Sequence, residues 1–415
     1  MWFYKILNWI NHLVSGIQNI FFAKSLNPVH YQEMVKMGKF LLQNNKYDQA
    51  TSMYKECISR FPGEPGGYHG MAECAKSKWQ RENVDAWLDR SIIKTGHESS
   101  YRMRINLLVK HGQYQEGFSL LEELMKKKGV TEDKLIFKAQ MLFIPGKFME
   151  AANILMDVRS TAETQILLAR ALIGANRNEE ANEVIQSIDF SREKNEMEKQ
   201  TLQLLQCWQK NYEKGAGYEL PKIFGIGLSR TGTTSLTHAL NILGFGALHF
   251  INPLTSQIIN DMDYRFFDAF TDSPVSYRFE NLYTLYPNAK FIYTDRDLDD
   301  WVYSSSRLYK PWGVKTTKEF RSWLDLNRKG KFVKNYHNYD PVYQKAYRSL
   351  YADFPDWKTA FLAFEERVHQ FFDGKPQGKL LKINICEQPE WDTLCNFLGV
   401  DMPDIPFPHT NKMPW

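Results

Sequence analysis

A cluster of small hydroxyl-bearing residues and one arginine lies between residues 223 and 235, which read I-F-G-I-G-L-S-R-T-G-T-T-S. The apolar residues at 223–226 predict a buried strand, and Leu236 to Leu243 predict a helix after the loop. A strand, a glycine-bearing loop and a helix together place several backbone N–H groups at the helix N-terminus. Because such a terminus binds an anionic phosphate or sulfate, the sequence predicts an anion site in this loop.

The loop offers two glycines, one arginine and five hydroxyl side chains as contacts for an anion. Glycine lets the backbone turn tightly and approach the ligand, and a hydroxyl adds a hydrogen-bond donor. The predicted binding residues are Gly227, Ser229, Arg230, Thr231, Gly232, Thr233, Thr234 and Ser235. The glycines have the G-x-x-x-x-G spacing of a nucleoside-triphosphatase loop, but threonine stands at 233, where that motif requires lysine. The missing lysine argues against ATP or GTP hydrolysis and against a nucleotide kinase.

A second polar element lies in residues 289–307, which read A-K-F-I-Y-T-D-R-D-L-D-D-W-V-Y-S-S-S-R. Residues 291–294 predict another buried strand, and residues 297–307 predict the helix after it. Arg296 therefore lies at the carboxyl end of a strand, the edge at which open parallel sheets bind ligands. Ser304 follows eight residues later, in the helix. An arginine gives bidentate donors to a phosphate and a serine adds one more, so the pair predicts a second phosphate contact.

These two motifs resemble those of the sulfotransferases that use 3′-phosphoadenosine 5′-phosphosulfate (PAPS). The loop at 225–235 resembles the 5′-phosphosulfate loop of that family, and the Arg296–Ser304 pair, with its spacing, resembles the family's 3′-phosphate motif. The stretch from Leu380 to Asn411 also resembles one branch of the family. The resemblance covers roughly residues 219–415. It implies an α/β domain with a mainly parallel sheet, which binds PAPS and releases 3′-phosphoadenosine 5′-phosphate (PAP) without a metal.

By this resemblance, Arg230 takes the place of the basic residue that bridges the donor and its leaving group. Many family members carry lysine there, so the arginine departs from the commonest pattern. It is a permanent cation. It can therefore neutralise the leaving 5′-phosphate, but it cannot act as a general acid at neutral pH.

An acceptor hydroxyl needs a general base within hydrogen-bond reach, and two residues are candidates. Asp272, in F-T-D-S-P, stands shortly before Pro274, at a position comparable to that of a catalytic histidine in many relatives. His249, in G-A-L-H-F, lies at the end of the predicted second strand. Asp272 is the preferred base. The structural alternatives are that Asp272 caps a helix near Pro274 and that His249 is a packed core residue.

Residues 29–213 predict a different architecture, because helical turns recur along them. Gly38, Ala50, Tyr54 and Pro62 follow the order of a tetratricopeptide repeat. The small residues of the recurring turns are Ala50, Gly117, Ala151 and Ala181, with Ala86 in a weaker unit. Their spacing of 30 to 36 residues is close to the ~34 of that repeat. We expect an α-solenoid of four or five repeats, which recruits a protein partner or, alternatively, stabilises or dimerises the enzyme.

Length and composition predict two domains, 29–213 and 219–415, after an N-terminal segment at 1–28 and around a linker at 214–217. A net charge of +4 is too small to indicate a nucleic-acid partner. The five cysteines form no metal or redox pattern, which favours a reducing, cytoplasmic location.

Residues 2–22 follow helical spacing but are interrupted by polar side chains. We expect an amphipathic helix that docks on the repeats, with weak association at a membrane surface and a signal anchor as the alternatives. The basic segment from Arg328 to Lys334 predicts a solvated face, or alternatively a site for an acidic acceptor.

The functional prediction is transfer of a sulfuryl group from PAPS to a hydroxyl or amine of an acceptor that the sequence does not identify: a carbohydrate, another small molecule or a protein. The rival hypothesis is a repeat scaffold whose last domain binds nucleotide without turnover. The two differ in whether a productive base stands at Asp272 or His249.

Overall fold

The computed structural model describes residues 28–77, 81–191, 196–215, 221–308, 314–328, 341–387 and 391–409. The predicted N-terminal helix, the second half of the linker (216–217) and the basic segment beyond Arg328 lie outside these ranges. The chain forms two compact units, of which the first comprises the residues up to Leu108 together with Gln115–Lys127 and the second comprises the remainder. The predicted domain boundary between 213 and 219 falls inside the second unit and stays a prediction.

Helices account for the secondary structure of the repeat region. The helices that lie wholly or mostly in the first unit are α1 (Pro28–Gln43), α2 (Tyr47–Arg60), α3 (Pro65–Ser77), α4 (Arg81–Thr95), α5 (Glu98–Lys110) and α6 (Tyr114–Lys128). In the second unit they are α7 (Glu132–Leu142), α8 (Phe148–Met156), α9 (Ala162–Gly174), α10 (Asn178–Gln186) and α11 (Glu196–Glu213). None of the helices in the described ranges is both long and apolar enough to cross a bilayer.

Tyr54 on α2 fills the space between α1 and α3. Its ring occupies the place that a side chain at Gly38 of α1 or at Gly70 of α3 would need. Ala50, one turn earlier on α2, is fully buried. The small residues therefore let neighbouring helices approach closely in this repeat, as the sequence predicts.

The second helix of each pair buries the residue three positions after its first residue. These buried residues are Ala50, Val84, Gly117, Ala151 and Ala181. They recur every 30 to 34 residues along the chain, so the described ranges contain five helix pairs. The prediction of Ala86 for the second repeat is wrong, because Ala86 is exposed. Val84 takes the buried position, and the small side chains that it packs against are Ala72 and Ala75 on α3.

The second unit also contains a mainly parallel sheet, as predicted. Its strands are β1 (Ile223–Gly225), β2 (Ala247–His249), β3 (Ile251–Asn252), β4 (Gln257–Ile258), β5 (Ala269–Thr271), β6 (Lys290–Thr294) and β7 (Leu380–Ile383). Within the described residues the order is β4-β3-β2-β5-β1-β6-β7. The five strands from β2 to β7 in this order are parallel. The short β3–β4 hairpin extends the sheet, with β3 antiparallel to β2 and β4 antiparallel to β3.

Helices cover this sheet and follow most of its strands. They are α12 (Thr233–Ile242), α13 (Asp263–Phe266), α14 (Ser273–Tyr277), α15 (Phe279–Leu285), α16 (Leu298–Leu308), α17 (Thr317–Arg328), α18 (Pro341–Tyr347, continued by a π-helical turn at Arg348–Ala352), α19 (Trp357–Phe372) and α20 (Trp391–Leu398). Gly225 of β1 pairs with Thr271 of β5 and with Ile292 of β6. The segments that follow these three parallel strands therefore leave the sheet at one edge.

Asp268, just before β5, joins helix α11 to the sheet. Its carboxylate accepts hydrogen bonds from Asn211 Nδ2 at 2.9 Å and from Cys207 Sγ at 3.2 Å. The same carboxylate accepts the backbone N–H of Gly246 at 3.1 Å, immediately before β2. The last helix of the repeat region is thus hydrogen-bonded to the segments that precede two parallel strands.

Candidate active site

Two residues of the loop between β1 and α12 have positive φ angles. Gly232 has a φ of +96° and is the N-cap of α12, a conformation that glycine adopts without strain. Arg230 has a φ of +77°, which is uncommon for a residue with a side chain. Helix α12 begins at Thr233, three residues earlier than predicted, because the turn at Gly232 ends the loop there. The first N–H groups of α12 therefore adjoin the predicted anion loop.

Arg230 is held from both sides by the two residues of the second motif. Its carbonyl accepts a hydrogen bond from Arg296 Nη1 at 2.9 Å. Its own Nε donates to Ser304 Oγ, on α16, at 3.0 Å. The structure thus brings together Arg230, Arg296 and Ser304, which the sequence assigned to two separate motifs.

The guanidinium of Arg296 has one further feature. Among the described residues, its Nε is a buried nitrogen without a hydrogen-bond partner. A buried donor of this kind is costly unless a ligand or water satisfies it. Arg296 therefore presents a charged donor at the loop.

Two residues of the loop, Gly227 and Thr231, contact other parts of the protein. A side chain at Gly227 would collide with Thr294 Oγ1, so glycine is needed there for close packing. Thr231 Oγ1 lies 2.6 Å from Thr294 Oγ1 and donates to the carbonyl of Leu228 at 2.7 Å. The hydroxyl of Thr231 closes the loop internally.

The two candidate bases lie in contact with each other. His249 Nε2, at the end of β2, is 3.2 Å from Asp272 Oδ2. The Oδ1 atom of Asp272 accepts from Ser229 Oγ at 2.7 Å and from the N–H of Ser273 at 2.7 Å. The side chain of His249 is 28% exposed and that of Asp272 is 10% exposed. The imidazole is therefore the more accessible member of a carboxylate–imidazole pair.

The backbone of Asp272 is strained. Its φ of 78° and ψ of −172° fall in a region that is essentially reserved for glycine. Such a conformation costs about 1–3 kcal/mol and is typical of functional sites. Asp272 is also the N-cap of α14, so the capping alternative describes a real contact that coexists with the contact to His249.

The imidazole of His249 also reaches the anion loop. Its Nε2 lies 3.2 Å from Thr233 Oγ1 and 3.2 Å from Thr234 Oγ1, at the start of α12. Ser235, the next residue, is buried in that helix. The predicted donor-binding and proton-accepting residues therefore form one continuous site.

Sequence reasoning missed two aromatic contacts to Ser229. The N–H of Ser229 donates to the phenol oxygen of Tyr351 at 2.9 Å, and its carbonyl accepts from Trp301 Nε1 at 2.9 Å. Burial, with a smaller contribution from Asp272, raises the pKa of Tyr351 to about 12, which keeps the phenol protonated. Tyr351 lies in the π-helical turn, whose register differs from that of an α-helix. No spacing in the sequence could therefore have indicated it.

Comparisons with known proteins identify a domain family that the last part of the chain resembles. Residues 222–414 match the model of the sulfotransferase domain family. The Ava biosynthesis cluster protein M of Aspergillus versicolor is 24% identical to the chain over 217 residues, which is 45% of this chain and 80% of that protein. The match confirms the predicted resemblance and supports sulfuryl transfer as the class of activity.

Solved structures with helical repeats were also matched. A tetratricopeptide repeat protein from Parabacteroides merdae is 14% identical, covers 46% of this chain and 74% of its own, and has a TM-score of 0.36. The pilF protein of Pseudomonas aeruginosa is 12% identical, with coverages of 44% and 84% and a TM-score of 0.35. These scores are too low to bear on the fold, and the repeat architecture rests on the helix pairs themselves.

Proposed function

We propose that this protein transfers a sulfuryl group from PAPS to a hydroxyl or amine of an acceptor. The observation that carries the proposal is the meeting of Arg230 and Arg296 at the N-terminus of α12, with a buried Nε of Arg296 free to donate. A doubly phosphorylated, sulfated nucleotide supplies the negative charges that this arrangement lacks.

The donor contacts divide between the two motifs. The N–H groups at the start of α12 bind the 5′-phosphosulfate, with Arg230 and the hydroxyl of Thr234 beside it. Arg296 and Ser304 bind the 3′-phosphate. The family resemblance supports this division, and the bond between Arg230 Nε and Ser304 Oγ shows how near the two groups of contacts are.

The reaction requires one bond to form and one to break. The acceptor oxygen or nitrogen attacks sulfur, and the bond between sulfur and the oxygen of the 5′-phosphate breaks. The acceptor proton passes to the base, and negative charge accumulates on the leaving phosphate oxygen of PAP. Arg230 stabilises that charge, and the fixed loop supplies the in-line positioning.

The base is the pair formed by His249 and Asp272. In this proposal a ring nitrogen of His249 accepts the proton from the acceptor, and the carboxylate of Asp272, whose Oδ2 lies 3.2 Å from Nε2, stabilises the imidazolium that forms. Asp272 Oδ1 is already engaged by Ser229 and Ser273, and its side chain is the less exposed of the two. These contacts favour His249 as the proton acceptor and Asp272 as its orienting partner, the reverse of the preference drawn from the sequence.

The repeat region, in this proposal, recruits a protein partner or the acceptor, as helical repeats commonly do. The cysteines of the described residues are free thiols, which supports a reducing, cytoplasmic compartment. The acceptor class stays open.

Calorimetry with PAP tests the donor assignment. We expect PAP to bind in the presence of a chelator, because the contacts come from arginines, hydroxyls and backbone N–H groups. Tighter binding of ATP with Mg²⁺ contradicts the assignment. Transfer of labelled sulfate from PAPS to an acceptor panel then tests turnover, and PAP binding without transfer to any acceptor favours the non-catalytic scaffold.

A further inference from the structure

Arg170 on α9, in the repeat region, is hydrogen-bonded to the α/β part of the second unit. Its Nε donates to the carbonyl of Leu254 at 2.9 Å, and its Nη2 donates to the carbonyl of Pro253 at 3.1 Å. Both carbonyls belong to the turn between β3 and β4. Burial lowers the pKa of Arg170 to about 10, so the guanidinium remains charged at neutral pH. The charged guanidinium of Arg170 therefore holds the turn between β3 and β4 through two hydrogen bonds.

Gln257 on β4 makes the return connection. Its Nε2 donates to the carbonyls of Phe143 at 2.8 Å and Ile144 at 3.2 Å, in the turn after α7. The ring of Phe143 lies under the Arg170 guanidinium, 4.9 Å from its central carbon. Phe143 therefore contacts both residues, and Arg170 and Gln257 form one connection, which we call the hairpin latch.

The latched hairpin leads directly to His249. Strand β3 pairs antiparallel with β2 in a register that sets Ile251 opposite His249. The single residue between them, Phe250, makes this tight reversal with a φ of +57°. Its N–H donates to the carbonyl of Thr271 at 3.3 Å, and its carbonyl accepts from Ile259 at 3.0 Å. Thr271 immediately precedes Asp272. The reversal at Phe250 therefore adjoins His249 along the chain and is hydrogen-bonded to the residue before Asp272.

We propose that Arg170 and Gln257 are positioning residues of the transfer site, which fix the β3–β4 hairpin and thereby hold the imidazole of His249 against Asp272. Neither residue touches reacting atoms. The last repeats are then a structural part of the active site in addition to any role in recruitment. The effect on turnover rests on the proposed function, whereas the effect on the His249 imidazole does not.

The test uses the full chain with ¹³C-labelled histidine side chains and follows the His249 resonance, assigned from its absence in His249→Gln. We expect Arg170→Met and Gln257→Leu each to shift this resonance. We also expect kcat to fall by about 10- to 100-fold, because small displacements of a catalytic group are costly. PAP affinity stays within about 2-fold of the wild type, since neither residue contacts the loop, and Arg170→Lys, which restores a charged donor, recovers part of kcat.

Matched controls come from the same helical region. Arg177→Met removes an arginine that pairs with Glu180, and Gln165→Leu removes a half-buried glutamine bonded to Ser187. Neither should move the His249 resonance or kcat.

An unchanged His249 resonance in both latch variants overturns the inference. If Arg170→Met does not fold, Gln257→Leu alone tests the inference, because it removes the hydrogen bonds that β4 makes to the turn after α7. If the wild type transfers no sulfuryl group, the proposed function fails, while the resonance still decides the positioning role.

Discussion

The two sides of the active site are built differently. On the donor side, Arg230, Arg296 and Ser304 hold one another through a carbonyl and a hydroxyl. The buried Nε of Arg296 has no hydrogen-bond partner within the part of the chain that the structure describes. On the acceptor side, Asp272 has its oxygens engaged and His249 is already paired. The donor side therefore keeps the charged guanidinium of Arg296 available for a ligand. The acceptor side holds in place the imidazole of His249, which we propose accepts a proton. We therefore expect variants of Arg296 and Ser304 to weaken binding and variants of His249 and Asp272 to lower turnover. Arg230 lies on the donor side but faces the leaving group, so its variant should also act on turnover.

The largest effect should come from the acceptor side. His249→Gln keeps a side chain that can hydrogen-bond but removes the proton acceptor, so turnover should fall by ~10²–10⁴-fold with PAP affinity nearly intact. Steady-state kinetics and calorimetry on the same sample measure both quantities. His369→Gln, at an exposed site on α19, is the matched control and should leave both unchanged.

Asp272→Asn sharpens this prediction, because asparagine has nearly the same size and shape as aspartate and caps a helix almost as well. A loss of turnover comparable with that of His249→Gln is expected if Asp272 orients the imidazole. Near-normal turnover would mean that Asp272 acts only as the N-cap of α14. A collapse in Asp272→Asn beside normal rates in His249→Gln would return the role of base to Asp272.

Arg230→Ala should have the next largest effect. Removing the charge that faces the leaving phosphate should lower kcat by roughly 10²–10³-fold, the scale for loss of one group that stabilises transition-state charge. PAP should still bind through Arg296 and the start of α12. A purely weakened affinity with normal kcat would contradict the role given to Arg230.

Arg296→Ala should act mainly on binding. Losing a charge-assisted contact should weaken PAP by about 2 kcal/mol, roughly 30-fold in Kd. A smaller loss of kcat should accompany it, because Arg296 also supports the carbonyl of Arg230. Arg321→Ala removes the same charge from a residue that contacts Asp353 and should leave Kd unchanged by calorimetry. Equal Kd values for the two variants would exclude Arg296 as a donor contact.

The smallest effect is expected from Ser304→Ala, about 1 kcal/mol or roughly 5-fold in Kd for PAP. The neighbouring residue offers a close control, because the hydroxyl of Ser305 is buried without a hydrogen-bond partner among the described residues. Ser305→Ala should leave PAP affinity unchanged. Equal losses from the two serines, by calorimetry, would show that packing of α16 and not the hydroxyl of Ser304 matters.

The sequence was sufficient to predict the fold class, whereas the roles of the site residues stay predictions. Strand patterns placed Arg296 and His249 at strand ends, and glycine and hydroxyl residues marked the loop. It could not show that Asp272 and His249 touch, because their contact depends on the parallel pairing of β2 with β5. It also could not show that Tyr351, in the π-helical turn, contacts Ser229.

The repeats illustrate the same limit in another way. The periodic small residue was predicted correctly in four repeats, where it lies on the second helix. In the second repeat the small side chains are Ala72 and Ala75 on the facing helix, and the buried position holds Val84. Close packing requires small volume at the contact but does not dictate which helix supplies it. A prediction that looks for a small residue on the second helix of every pair therefore selected Ala86, which is exposed.

The bonds from Asn211 and Cys207 to Asp268 constrain how this chain can be recombined during evolution. A gene fusion that joined residues 219–415 to a foreign module would inherit Asp268 without its two donors on α11. The recipient would begin with a half-buried carboxylate that has lost two of its hydrogen-bond donors, beside the segment that leads into β2. Exchanges that carry α11 along keep those bonds. We therefore expect lineages of such chains to diversify their leading repeats freely while inheriting the last helix together with the sheet.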